Sequence, residues 1–298
     1  MLAKAAFFRY YALMVDLHTH STASDGEKSP AELVWLAKES GLEVLALTDH
    51  DTLDGLQEAA AAAKEAGLAF VPGIEINVQW PTGEFHLLGL GLKSPSASMK
   101  ALVKKLRDNR IGRNKKMLSL LQNDGLSVSY EEFLAEEGDS HAEDTLGRPH
   151  IASYLEKKKI VRSRQKAFDK YLARGTPFYV DFEGALLDEA VAAIKDSGGV
   201  PVLAHPLSLY VGWGKIQGVL QGIQDAGVQG LEAWHPGAKE GECRRLERLA
   251  REMGFFVTAG SDFHGPNVRA DRKLGRTAGG YKIDSRYYYE ELFPRLKA

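Results

Sequence analysis

The chain has 298 residues, 44% hydrophobic and 26% charged, enough for one large domain or two ordinary ones around a buried core. Its 38 Lys and Arg nearly balance 40 Asp and Glu, and a net charge of −2 excludes the global basic signature of a duplex-binding protein. The single cysteine, Cys243, excludes an intrachain disulfide and a cysteine-built zinc site, and fits a reducing cytoplasm.

Residues 1–13 hold two apolar clusters broken by Arg9, too short and interrupted to span a membrane, and are expected to be an extension ahead of Met14. Val15 to Ser21 then reads as a short strand ending in His18 and His20, whose i, i+2 spacing turns both imidazoles to one face. Ser24-Asp25-Gly26 has a turn composition. Ser29 as cap and Pro30 at the first position predict a helix to about Ser40, stopped by Gly41. Leu42 to Leu47 is a continuous apolar strand, as in a parallel sheet, ending in Thr48-Asp49-His50-Asp51. A helix beginning near Thr52 or Asp54 and ending at Gly67 precedes a strand from Leu68 to Val71, carried onward to Ile76 through Glu75. Phe85 to Leu90 is a further strand that opens with His86.

This βαβα rhythm predicts an α/β barrel or doubly wound sheet, with functional residues beyond the C-terminal strand ends. Between about 96 and 179 the rhythm breaks into helices at Met99–Gln122, Tyr130–Glu137, Pro149–Lys158 and Ser163–Ala173, an all-helical insertion with His141 in an exposed acidic loop. The α/β body, 14–95 and 180–298, resumes with a helix at Leu186–Asp196. Strands follow at Val200–Ala204, ending in His205, and from Gly230, ending in His235. A helix at Lys239–Glu252 leads to a last strand at Phe255–Ala259, which runs into Gly260-Ser261-Asp262-Phe263-His264.

One histidine closing an apolar strand can be a satisfied core residue. Here His18 with His20, His50, His205, and Asp262 with His264 all do so, and the last pair repeats the i, i+2 geometry of the first. Barrel closure would bring these ends together as a metal site. Asp49 reads as a support behind the ligands, and Asp51 as a cap for the next helix. No phosphate loop of the G-x-x-x-x-G-K-[ST] type occurs, and Cys243 lies in a polar helix, so neither an ATPase nor a cysteine nucleophile is indicated.

The stretches His18-Thr19-His20-Ser21, Ser24-Asp25-Gly26, Thr48-Asp49-His50-Asp51, Gly73-Ile74-Glu75, Ala204-His205-Pro206 and Gly260-Ser261-Asp262-Phe263-His264 resemble the PHP (polymerase and histidinol phosphatase) family, in family order. The insert with Leu146-Gly147-Arg148-Pro149-His150 is similar to the branch of 3′,5′-nucleoside bisphosphate phosphatases that also act as 5′-to-3′ exoribonucleases on short RNA. The resemblance implies a distorted (β/α)7 barrel holding three divalent ions. His18, His20, Glu75 and Asp262 would hold the first, Asp25, His50 and His264 the second, and Glu75, His86 and His205 the third. Asp25 stands where several members carry histidine, and an oxygen donor there favours manganese or iron over an all-zinc cluster. Such a cluster supplies activated water and charge neutralisation for phosphate-ester hydrolysis.

Substrate contacts are expected from what lies over the metal face. Arg148 is the candidate phosphate clamp, with His150 beside it. Arg110 and Arg113, at i, i+3 on one helix, either line the site or form a solvated face. His235 is a substrate contact or general acid, or a packed rim residue. A capping insertion favours a small phosphorylated nucleotide or short single-stranded RNA over duplex DNA. A phosphatase for another metabolite, such as histidinol phosphate, and a non-catalytic metal-stabilised binding module are the alternatives. The sequence implies no membrane partner and sets no oligomeric state.

Overall fold

Runs such as Leu-Glu-Val-Leu-Ala-Leu at 42–47 leave almost no polar face, so they are stable only when covered on both sides. The computed structural model describes residues 14–138 and 142–297; the N-terminal extension and His141 lie outside the described residues. Seven strands, β1 (Met14–Asp16), β2 (Leu42–Leu47), β3 (Ala69–Val78), β4 (Phe85–Leu90), β5 (Val200–Leu203), β6 (Gly230–Trp234) and β7 (Phe256–Ala259), form one sheet in sequence order. Neighbours are parallel except β4, which is antiparallel to both β3 and β5. Past the strand ends Thr19 bridges Phe263 in parallel, and the His20 N–H donates to the Phe263 carbonyl at 2.9 Å. The first and last strands therefore meet at the C-terminal rim, in keeping with the α/β barrel architecture expected. No helix among the described residues is long and apolar enough to cross a membrane.

Helix α1 (Pro30–Glu39) starts as its sequence demands: the Ser29 hydroxyl accepts the Glu32 N–H and the Glu32 carboxylate accepts the Ser29 N–H. Helix α2 (Leu56–Ala66) starts later than expected. Asp51 does not cap it, because its carboxylate is taken by Asn77 and Arg110. Strand β1 is shorter than expected, so His18 and His20 lie beyond it. Asp16 accepts the N–H groups of His18 (3.3 Å), Ser261 (2.9 Å) and Gly275 (2.7 Å), which draws the chain out of the ladder there.

Because β4 runs backwards, it begins at the rim with His86 near its start and leaves at the opposite end of the sheet, the floor. There the Ser96 N–H donates to Ser197 Oγ (3.1 Å), just ahead of β5, and helix α3 (Ala97–Asn123) begins. At about 1.5 Å per residue its 27 residues climb about 40 Å. Met99, Leu102, Val103 and Leu106 belong to the main core. Met117, Leu118 and Leu121 belong to a second core shared with Phe133, Ile151, Leu155 and Leu172. Helices α4 (Tyr130–Glu137), α5 (Arg148–Lys157) and α6 (Arg164–Ala167) complete this second unit, α6 running into a wider turn at Phe168–Leu172 where one continuous helix was expected. Helices α7 (Leu187–Asp196), α8 (Ile216–Asp225) and α9 (Glu240–Met253) return to the sheet.

Candidate metal centre and its cavity

The two i, i+2 motifs lie side by side. The Asp262 N–H donates to the His18 carbonyl at 2.9 Å, and Thr19, between the two histidines, donates its hydroxyl to the Ala46 carbonyl at 2.6 Å. A Cβ on Gly260 would sit 2.2 Å from the His18 Cβ, so only glycine lets β7 pass this close. His50 forms a parallel bridge with Glu75. His86 joins the group from the start of the reversed strand β4, and His205 from just past β5. Of the five non-glycine residues with positive φ among those described, four (Asp51, His205, Tyr210 and Asp262) lie at this rim; strain held where ligands bind is a common association.

Glu75 is the centre. Its Oε2 lies 3.3 Å from His18 Nε2, 3.2 Å from His20 Nε2 and 3.0 Å from His50 Nδ1. Its Oε1 lies 2.9 Å from His86 Nδ1 and 3.0 Å from His205 Nε2. Asp262 Oδ1 is 3.3 Å from His20 Nε2 and 3.7 Å from His18 Nε2. Asp25 Oδ1 is 3.3 Å from His264 Nε2 and 4.0 Å from His50 Nε2. All nine residues expected as ligands are thus brought together.

The arrangement fits metal ions on two grounds. Four donor groupings have atoms within 4.8 Å of one another: His18, His20 and Asp262; His20, Asp25, His50 and His264; His18, Glu75 and His205; His50, Glu75 and His86. Donors held about 2.0–2.2 Å from one ion sit about 3.3–3.6 Å apart at tetrahedral angles, close to the spacings of His18, His20, Glu75 and Asp262. Moreover His18 Nε2, both ring nitrogens of His20, His50 Nδ1 and Glu75 Oε2 are buried without a hydrogen bond, a costly state that an ion would relieve.

Glu75, Asp25 and Asp262 are held well below the usual carboxylate range; burial opposes this, but the facing histidines outweigh it. His20 is pushed up to about 10, with Asp262 and Glu75 overcoming burial, while burial drives His50 down to about 3. His235 Nδ1 accepts the Gly237 N–H at 3.0 Å, which leaves the ring proton on Nε2, 3.2 Å from Asp262 Oδ2. Burial lowers the pKa of this imidazole.

The cluster opens into a cavity of about 590 Å³ that is also lined by Arg110, Arg113, Arg148 and Phe168 from the inserted helices. Arg110 and Arg113 are 9% exposed rather than solvated, and both guanidinium groups lie over the Phe182 ring, at 5.3 and 5.0 Å. Arg110 pairs with Asp51, and Arg148 with Glu84 at 2.8 Å. Arg113 forms no ion pair among the described residues. Burial, then Arg110 and Arg148, lower its pKa well below the arginine norm. His150 does not line the cavity: its Nδ1 accepts the Gly147 N–H at 2.9 Å and so shapes the turn that carries Arg148.

Sequence reasoning missed two residues. Glu232 Oε1 accepts from His18 Nδ1 (3.0 Å) and its Oε2 from the His205 N–H (2.9 Å), orienting two ligand-bearing segments. An acid inside the apolar strand Gly230–Trp234 was the available signal. Arg272, buried with its Nε 3.6 Å from Asp262 Oδ2, lines the cavity too, and nothing in its polar run marks it.

The PHP domain model matches residues 16–173. The chain is 33% identical over 263 residues to a 3′,5′-nucleoside bisphosphate phosphatase of Chromobacterium violaceum, covering 88% of this chain and 91% of that protein. It is 34% identical over 251 residues to a 5′-3′ exoribonuclease of Haemophilus influenzae, covering 84% and 90%. A crystal structure from Bifidobacterium adolescentis, described as a metal-dependent phosphoesterase, superposes with a TM-score of 0.82 at 29% identity over 95% of this chain and 96% of that one. Motif order, cluster geometry and this likeness over nearly the full length agree, and the chain belongs to the PHP domain family.

Proposed function

We propose that the chain is a divalent-metal phosphoesterase that removes the 3′-phosphate of nucleoside 3′,5′-bisphosphates and trims short RNA from its 5′ end. The observation that carries this reading is Arg113, a buried cation without an acid partner among the described residues, across one cavity from a buried carboxylate–histidine cluster. Cations are wanted at one wall and an anion at the other, as a substrate with two phosphates requires. The names of the two relatives support the same chemistry, and about 590 Å³ suits a mononucleotide rather than a duplex.

His18, His20, Glu75 and Asp262 would hold one ion, Asp25, His50 and His264 a second, and Glu75, His86 and His205 a third, with manganese or iron favoured by the oxygen donor of Asp25. Bound ions would supply water activated near neutral pH and neutralise charge on the phosphoryl oxygens. Arg113 and Arg148 bind the second phosphate, and Asp51 and Glu84 hold the guanidinium groups of Arg110 and Arg148 in place. His235 holds a proton at Nε2 beside Asp262 and donates a hydrogen bond from it to the leaving oxygen, which takes its own proton from water. The inserted helices, 96–179, act as the cap that limits the site to small or single-stranded substrates.

Steady-state kinetics of the manganese-loaded chain on 3′-phosphoadenosine 5′-phosphate, histidinol phosphate and short 5′-phosphorylated RNA tests this. The bisphosphate should exceed histidinol phosphate in kcat/KM by roughly a hundredfold, the worth of a charged second contact. Absence of bisphosphate turnover rejects the proposal, and RNA binding without hydrolysis would make the chain a binding module.

A further inference from the structure

Tyr210 is 77% exposed, the most of any large hydrophobic side chain described, and it lines the rim of the cavity. Solitary exposed aromatics occur on any surface. This one differs in its backbone, which is left-handed (φ 53°, ψ 37°), a conformation tyrosine rarely adopts.

The strain is held by a bracket. The Leu209 carbonyl accepts two donors, Trp80 Nε1 at 3.0 Å and Thr82 Oγ1 at 2.8 Å. Ser208 Oγ donates to the Glu84 carbonyl and the Glu84 N–H donates to the Ser208 carbonyl, both at 2.8 Å. A Cβ on Gly83 would lie 2.0 Å from that Ser208 oxygen, so the two segments touch backbone to backbone. His205 Nδ1 is 2.9 Å from the same Ser208 hydroxyl. The bracket thus fixes the backbone that carries Tyr210 relative to a residue of the cluster, while the phenol ring stays open to solvent.

We propose that Tyr210 is the stacking platform for the nucleobase of a nucleotide whose phosphate enters the cluster. This rests on the function proposed above and assigns the residue that separates nucleotides from base-free phosphate esters. Stacking on an aromatic face tolerates every base, since each has a π face, and needs no hydrogen-bond readout. Because the backbone beneath the ring is already held, no loop ordering is left to oppose binding when the ring is covered.

The test compares a nucleoside 3′,5′-bisphosphate with its abasic counterpart, in which hydrogen replaces the base, using the manganese-loaded full chain. Wild type should show a lower KM for the nucleotide. Tyr210→Ala should narrow that gap roughly tenfold or more, at similar kcat, and Tyr210→Phe should keep it. A gap unchanged in Tyr210→Ala, or KM raised equally for both esters, overturns the inference while leaving the enzymatic reading intact. If wild type hydrolyses neither bisphosphate, the enzymatic reading fails first and this inference with it.

Discussion

The residues of the histidine–carboxylate cluster sit near strand ends or in the loops that follow them, whereas Arg110, Arg113 and Arg148 reach the cavity from two helices of the insertion. The cluster mixes signs: seven of the chain's nine histidines surround Glu75, Asp25 and Asp262, and the facing imidazoles hold these three carboxyl groups ionised. The arginine wall has one sign and too few acids, with Asp51 and Glu84 serving three guanidinium groups. The contrast teaches that one wall sets buried carboxylates against ring nitrogens, while the other holds buried positive charge that its acids only partly compensate.

If the two walls are separable, they should fail differently. Glu75→Gln should do most damage, because both carboxylate oxygens face ring nitrogens. We expect loss of bound metal by elemental analysis and a fall in kcat/KM of about a thousandfold or more. Full metal content in Glu75→Gln would remove Glu75 from the centre of the cluster. Arg113→Met should keep its metal yet raise KM for a bisphosphate roughly tenfold to a hundredfold. Because a buried unpaired cation costs stability, its melting temperature should hold or rise; metal loss in this variant would show that the walls are coupled.

The smallest effect is a titration. His20 in the folded, metal-free protein is raised from 6.5 to about 10. Its protonated form therefore contributes stability that is complete below pH ~6.5 and is lost as pH rises toward 10. An ion must displace that proton, so metal affinity should move the opposite way, strengthening about tenfold per pH unit for each proton released. Melting curves of the metal-free chain and calorimetric metal titrations at pH 7 and 9 would check both signs. A metal affinity flat with pH would mean that His20 takes no part.

The cluster was legible because histidines and acids after apolar runs have few other reasons to be there. Phe85–Leu90 and Tyr130–Glu137 were legible as elements because turn and cap residues flank them. The direction of β4 was not read, although residues 79–84 are too few for a parallel crossover and fit a hairpin. Asp51 resembled a cap because sequence order hides Asn77 and Arg110, its actual partners. The arginines were undecidable for a similar reason: whether an i, i+3 pair faces water depends on Phe182, some 70 residues away along the chain.

The reversed strand has one more consequence. Since β4 ends at the floor, the chain must climb back before it can contribute to the cavity, and it does so in one unbroken helix. The height of Arg110 and Arg113 above the cluster is therefore a residue count along α3 from Leu106, in the main core. Adding or removing one turn between Leu106 and Arg110 would move both guanidinium groups by about 5 Å and part Arg110 from Asp51. The separation of the two walls is thus set by a length of helix rather than by the residues of the cluster.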